Sequence, residues 1–194
     1  MNCKLVLGVL SLVLGGALAQ AEIVKIDFED LAASTSVTNQ YAHLGVHFSM
    51  TPIVDPSGTY HSAVEVFSYA KGDFGTKAAG LWASPVLITF DSAVSNFSVL
   101  MSDTERGSLL GSVRAYDANG KLIDYVTDMT GNYNTSWFYQ NTLRIQAGGI
   151  RSVVLMSDAD GAIFDNITFT RIPSPGAMAL LPFGLLGLAR RRRD

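Results

Sequence analysis

The chain has 194 residues, 48% of them hydrophobic, 10% aromatic and 16% charged, with 18 Gly, which excludes a disordered or collagen-like chain and suits a single globular domain. The formal charge of −3 conceals an asymmetry: Arg190, Arg191, Arg192 and Arg193 crowd the last five positions, while residues 22–172 hold nine Lys and Arg against sixteen Asp and Glu, a net of −7. So acidic a body lacks the basic footprint that phosphates require, and nucleic acid is excluded as a partner. Cys3 is the one cysteine and falls in a segment read below as a cleaved leader, so the mature chain has no disulfide, thiolate metal site or cysteine nucleophile.

Residues 1–21, MNCKLVLGVLSLVLGGALAQA, place Lys4 before an apolar run from Leu5 to Leu14 and end in small residues at Ala17, Ala19 and Ala21. That order predicts a secretory signal peptide forming an N-terminal helix. Its apolar run is well short of the roughly 20 residues that cross a bilayer, and no cysteine follows it to take a lipid.

Residues 22–172 show short alternating or apolar runs between turn formers, with no clean 3.6-residue period, which predicts antiparallel β structure. The expected strands are Ile23–Phe28, Val46–Met50, Ala63–Tyr69, Val86–Phe90, Asn96–Met101, Ser112–Asp117, Leu122–Thr127, Trp137–Tyr139, Thr142–Gln146, Ile150–Met156 and Ala162–Thr170. Asp117-Ala118-Asn119-Gly120 joins two of them as a hairpin, because Asn-Gly accepts the positive φ angles of a tight turn. Short strands with polar, glycine-rich links, and no internal repeat, predict an all-β, two-sheet antiparallel sandwich of jelly-roll type.

Residues 173–194 begin with Pro173-Ser174-Pro175, continue from Gly176 to Ala189 without a charge, and end in the arginine block and Asp194. By the positive-inside rule the arginines stay cytoplasmic, so the apolar run reads as a short C-terminal transmembrane helix with the body on the far side. Fourteen residues span about 21 Å as a helix against a hydrocarbon core of about 30 Å, which makes a transient tether. The segment resembles the PEP-CTERM sorting signal of Gram-negative proteins, with Ser174 where Glu is usual. That resemblance implies cutting near Pro173, Ser174, Pro175 and Gly176 by an exosortase-like processing enzyme, with Arg190 to Arg193 holding the chain in the inner membrane until release to the outer surface or medium. The body also resembles the β-sandwich ectodomains of such proteins and carbohydrate-binding modules, through IDFEDL, GVHFS, LITFDSAVSNFSV, AYDANGKLI and FDNITF.

In the last strand Ile163, Ile167 and Phe169 share one parity, the expected core face, and Asp165 falls on it too. A buried carboxylate either accepts backbone hydrogen bonds or ligates a cation. First and last strands lying side by side would bring Asp165 near Asp27, Glu29 and Asp30, a set of hard oxygens that suits Ca²⁺, and the carbohydrate-binding-module resemblance implies a structural calcium there. Asp158-Ala159-Asp160-Gly161 lacks the full calcium-loop series and reads as a turn. Trp82, Trp137 and Tyr139 either pack at the core rim or offer rings to a sugar; Tyr60, Tyr133 and Phe138 could join them.

No GxSxG, HExxH, P-loop or GxGxxG is present, so no catalytic constellation is read. A glycosidase pair from loop carboxylates such as Asp103 and Glu105 needs a defined spacing that sequence does not show. His43 and His47 would share a helix face, but Gly45 and VHFSM oppose a helix. Asn96, Asn134 and Asn166 open N-x-[ST] triplets to which a bacterium gives no evident use. The expected function is therefore a non-enzymatic, exported structural or adhesive protein of biofilm or extracellular polymer. The first rival is a calcium-dependent carbohydrate-binding module, the second a secreted polysaccharide hydrolase.

Overall fold

The computed structural model describes residues 21–51, 53–54, 60–61, 63–70, 72–80, 84–103, 110–129, 139–158 and 162–171, with backbone alone for Ile53, Val54, Tyr60, His61, Asp103, Met129 and Tyr139. The leader, the sorting segment with its proline and arginine motifs, and Trp82 and Trp137 lie outside the described residues. Among the described residues no helix is long and apolar enough to cross a membrane.

The described chain is all-β. Its strands are β1 (Glu22–Ile26), β2 (Ser36–Val37), β3 (Val46–Met50), β4 (Ile53–Val54), β5 (Tyr60–His61), β6 (Val64–Ser68), β7 (Lys77–Gly80), β8 (Val86–Asp103), β9 (Leu110–Tyr116), β10 (Leu122–Met129), β11 (Tyr139–Ile145), β12 (Ile150–Ser157) and β13 (Ala162–Arg171). Single 3-10 turns at Ala42–Leu44 and Gly72–Phe74 are the helical content of these residues. Eleven strands form one antiparallel hydrogen-bonded sheet, eight of them along one path with β1, β3 and β11 branching from it, and β4 and β5 pair separately.

The long strand β8 makes that sheet a sandwich. Its first half lies between β3 and β12, and its second half between β11 and β13. One layer thus runs β3–β8–β12–β9–β10. The other runs β11–β8–β13, with β1 and β7 sharing the far edge of β13 and β6 and β2 beyond β7. One apolar core collects Phe48 and Val153 from the first layer and Val66, Phe164 and Phe169 from the second. Phe28 meets Tyr41, Phe48 and Phe164 edge to face at centroid distances of 5.8, 6.0 and 5.7 Å, the arrangement that aromatic quadrupoles favour.

Two expectations change here. Val86–Phe90 and Asn96–Met101 are halves of one strand, and its inward parity switches from Val86, Ile88 and Phe90 to Phe97, Val99 and Met101. Asn96, at φ 53°, takes a left-handed step between the halves. Asn166, at φ 46°, does the same in β13, so Ala162 and Phe164 enter the core before it, and Ile167 and Phe169 after it. Ile163 and Asp165 consequently face the opposite side from Ile167 and Phe169. Strict alternation fails wherever one residue leaves the β region.

The hairpin forms as the sequence predicts, with β9 and β10 antiparallel. Asp117 Oδ1 accepts the N–H groups of Asn119 and Lys121 at 2.8 and 2.9 Å, and Gly120 alone in the turn has positive φ, 73°. The short β2 and β7 were absent from the expected strands, since SV and KAAG are too brief to show a period of two.

Candidate functional site: a buried carboxylate beside the first strand

Strands β1 and β13 pair antiparallel, with Ile26 opposite Ile167, which places Asp165 beside the chain leaving β1. On its other edge Asp165 lies opposite Leu100 of β8. Leu100 and Ile163 pack with Phe74 and Ala78 in a small apolar cluster, separate from the main core. Asp165 is 1% exposed, and neither carboxylate oxygen has a hydrogen-bond partner. Burial pushes its carboxyl up to about 8, with Asp27 and Glu29 adding to the rise, while the Asn166 backbone N–H and Lys25 oppose it. The Asn166 amide acts there through proximity without completing a hydrogen bond.

The neighbouring carboxylates are committed elsewhere. Glu29 Oε1 accepts the N–H groups of Thr76 and Lys77 at 2.6 and 2.9 Å, Oε2 accepts the Thr76 hydroxyl, and Lys77 Nζ donates to the Glu29 carbonyl at 2.7 Å. The Thr76 hydrogen bonds hold the Glu29 carboxyl below its usual value. Gly75 sits at φ +68°, where glycine is favoured, and a Cβ there would stand 2.5 Å from Glu29 Oε1 and displace the carboxylate from its bonds to Thr76 and Lys77. Asp30 Oδ1 accepts the Tyr41 hydroxyl at 2.6 Å; burial first, and then this bond, raise the Tyr41 phenol above its ordinary value. Asp27 keeps Oδ2 on Lys25 at 3.3 Å near the surface.

The loop over this region is fastened from the far side as well. Asp73 N–H donates to Gln140 Oε1 at 3.0 Å, Gln140 Nε2 returns a bond to Asp73 Oδ2, and Asn166 Nδ2 donates to the Asp73 carbonyl at 2.7 Å. Gln140, Thr76 and Lys77 carried no sequence signal. Asn166 did, in its N-x-[ST] triplet: Ser98 and Thr168, two residues beyond the left-handed Asn96 and Asn166, share a hydrogen bond of 2.6 Å. These triplets are matched bends of two paired strands.

For calcium, the orphaned oxygens of Asp165 fit a cation that would replace the missing donors. Among the described residues, no three His, Cys, Asp or Glu side chains gather as a ready metal cluster. Of the four expected ligands, Asp165 alone has both oxygens empty; Asp27 is held only by long contacts, Oδ2 to Lys25 at 3.3 Å and Oδ1 to the Glu29 N–H at 3.4 Å, that a cation could replace, and carbonyl and water oxygens are needed to reach the six to eight that calcium takes. His43 and His47 do not converge: His43 Nδ1 lies 3.2 Å from the Gln40 carbonyl, and His47 sits between Asn39 Oδ1 at 2.7 Å and Asp91 Oδ1 at 3.0 Å. Tyr139 opens β11 opposite Asp103, its ring outside the described residues.

No family model matches the chain, and no curated protein sequence does. Solved structures do. A DUF4465 family protein from Bacteroides caccae is similar at a TM-score of 0.50 and 13% identity over 76% of this chain and 98% of its own. The K2 cleaved adhesin domain of Lys-gingipain gives 0.46 and 12% over 77% and 100%. The CBM22-1 xylan-binding domain of Xyn10C from Paenibacillus barcinonensis gives 0.43 and 13% over 77% and 94%. At such identities the likeness is one of fold alone.

Proposed function

We propose that the chain is a non-enzymatic, exported β-sandwich protein of adhesive or matrix-structural kind, with polysaccharide as its partner class and calcium completing its fold. It crosses the inner membrane behind its leader, is held briefly by its C-terminal segment, and is processed there by an exosortase-like enzyme for the outer surface or the extracellular polymer. Asp165 is the observation that carries the reading. A fully buried carboxylate with two empty oxygens is costly in a fold that never meets a cation. Extracellular modules bind calcium with dissociation constants of about 10⁻⁴ to 10⁻³ M, where the ion is abundant. The same burial supports a non-catalytic role, because a carboxyl enclosed between Leu100 and the first strand meets no substrate, whereas a glycosidase needs two carboxyls across an open cleft. The orphaned pair favours a calcium-dependent carbohydrate-binding module as the narrower form of this reading.

Two measurements test it. Intact mass of the protein from its host and from an exosortase-null strain should show a species running from near Glu22 to between Pro173 and Gly176 in the first alone. A chain retaining Arg193 and Asp194 in the membrane of both strains overturns the processing step. Melting in calcium and then in excess EDTA should show a lower midpoint after chelation, and an unchanged midpoint removes calcium from the reading.

A further inference from the structure

The outward face of the β3–β8–β12–β9–β10 layer is crossed by two rows of side chains. Pairing puts Leu87, Val154, Arg114 and Tyr125 in one row across β8, β12, β9 and β10, and Thr89, Ser152, Tyr116 and Leu122 in the next. Tyr125 is 65% exposed, Leu122 44% and Leu87 36%. Arg114 is exposed too, and its guanidinium has no ion pair or hydrogen bond among the described residues. Across β8, β12, β9 and β10 it is the one charged side chain of the two rows, on a body whose net charge is −7; β3 extends the second row with His47, which bonds the Asp91 carboxylate at 3.0 Å. Tyr125 stands directly opposite Arg114, about 5 Å away at Cβ, and Tyr116 two residues along the same strand, about 7 Å away.

This arrangement selects a ligand by its chemistry. The exposed Tyr125 ring and the half-buried Tyr116 ring offer flat apolar faces with a polar edge, and Ser152 and Thr89 supply hydroxyls beside them. An unpaired guanidinium is a planar fork suited to a carboxylate. Arg144 and Lys121 are exposed cations too, and Arg114 differs from them in having a tyrosine directly opposite and another two residues along its own strand. We propose that this face binds an acidic polysaccharide of the uronate type, with sugar rings against Tyr125 and Tyr116 and a uronate carboxylate on Arg114. The proposal rests on the polysaccharide reading above and gives it a surface and a charge.

The test uses the full chain with free calcium buffered, and compares polygalacturonate, its methyl ester of equal length, and a panel of neutral glycans including xylan. Polygalacturonate should bind, with the ester and Arg114→Ala each weakening binding about tenfold or more, as loss of a charge-assisted hydrogen bond does. Arg114→Lys should fall between, since it keeps the charge and loses the fork, and Tyr125→Ala should weaken binding several-fold at an unchanged melting temperature. Equal binding of acid and ester with no effect of Arg114→Ala overturns the proposal while the polysaccharide reading stands. Retention of no glycan in the panel sinks that reading as well. Self-association of the chain that Tyr125→Ala abolishes would assign the face to a second copy and overturn the proposal.

Discussion

The two outward faces of the sandwich each hold an ionisable group without a partner, and the two differ in what that costs. On the β11–β8–β13 layer, Asp165 is sealed from water and its oxygens are empty. On the other layer, Arg114 is open to solvent, which solvates it at no cost to the fold. An unpaired charge stores stability consequences only where water is excluded; in solvent it is free for recognition. Changes at Asp165 should therefore move the melting temperature, and changes at Arg114 should move binding alone.

The largest effect expected is that of pH on the metal-free chain. With the folded Asp165 carboxyl near 8 and the unfolded one near 4, both states are protonated below about pH 4 and nothing is lost there. As pH rises toward 8, the unfolded chain releases its proton first and the folded state loses up to about 1.4 kcal/mol per pH unit. Urea midpoints in EDTA should fall across this window and level off above it. Asp165→Asn should remove the slope, and a slope that survives in the variant would locate the effect elsewhere. Glu29 runs the other way: its lowered carboxyl contributes stability at neutral pH that disappears as pH drops through its folded value, so Glu29→Gln should flatten the acid limb alone.

Calcium comes next. At a hundredfold excess over its dissociation constant the ion should add about 2.7 kcal/mol, or about 5–10 °C in a domain of this size. Calorimetry on Asp165→Asn should show no such gain. If instead Asp27→Asn abolishes it and Asp165→Asn does not, the cation sits at the surface and the buried carboxyl is merely protonated.

Smaller still is the bend. Asn166→Ala removes the bond to Asp73 at 2.7 Å and replaces an asparagine, which tolerates the left-handed φ of 46°, with a residue that does so less well, together about 1–2 kcal/mol by chemical denaturation. Asn166→Gly should recover the backbone part, and equal losses for both would deny the left-handed step any weight. Smallest is Arg114→Ala, expected within about 0.5 kcal/mol of the parent; a larger loss would mean that the open face is structural after all.

Much of the fold was legible because its cues are local. The β9–β10 turn needs Asp117 to cap and Gly120 to turn left, both within four residues, and the structure forms it so. The strand Val46–Met50 was read with its observed ends, since VHFSM alternates cleanly between buried and exposed. The site was legible in part. Asp165 stood out as a carboxylate in an apolar strand, but which carboxylates remain free beside it depends on Thr76 and Tyr41, 47 and 11 residues from Glu29 and Asp30. Nothing in the residues flanking Glu29 announces a partner so distant.

By itself, then, the sequence determined the class of structure: an acidic body of alternating strands between a leader-like and an anchor-like end. Period-two patterning and turn chemistry act over a few residues and need no context to be read. Only the tertiary structure decided which way β13 faces along its length. One left-handed residue, Asn166, reverses inside and outside for every position beyond it. That step is held by Asp73 and by the matching bend at Asn96, on strands brought together by folding.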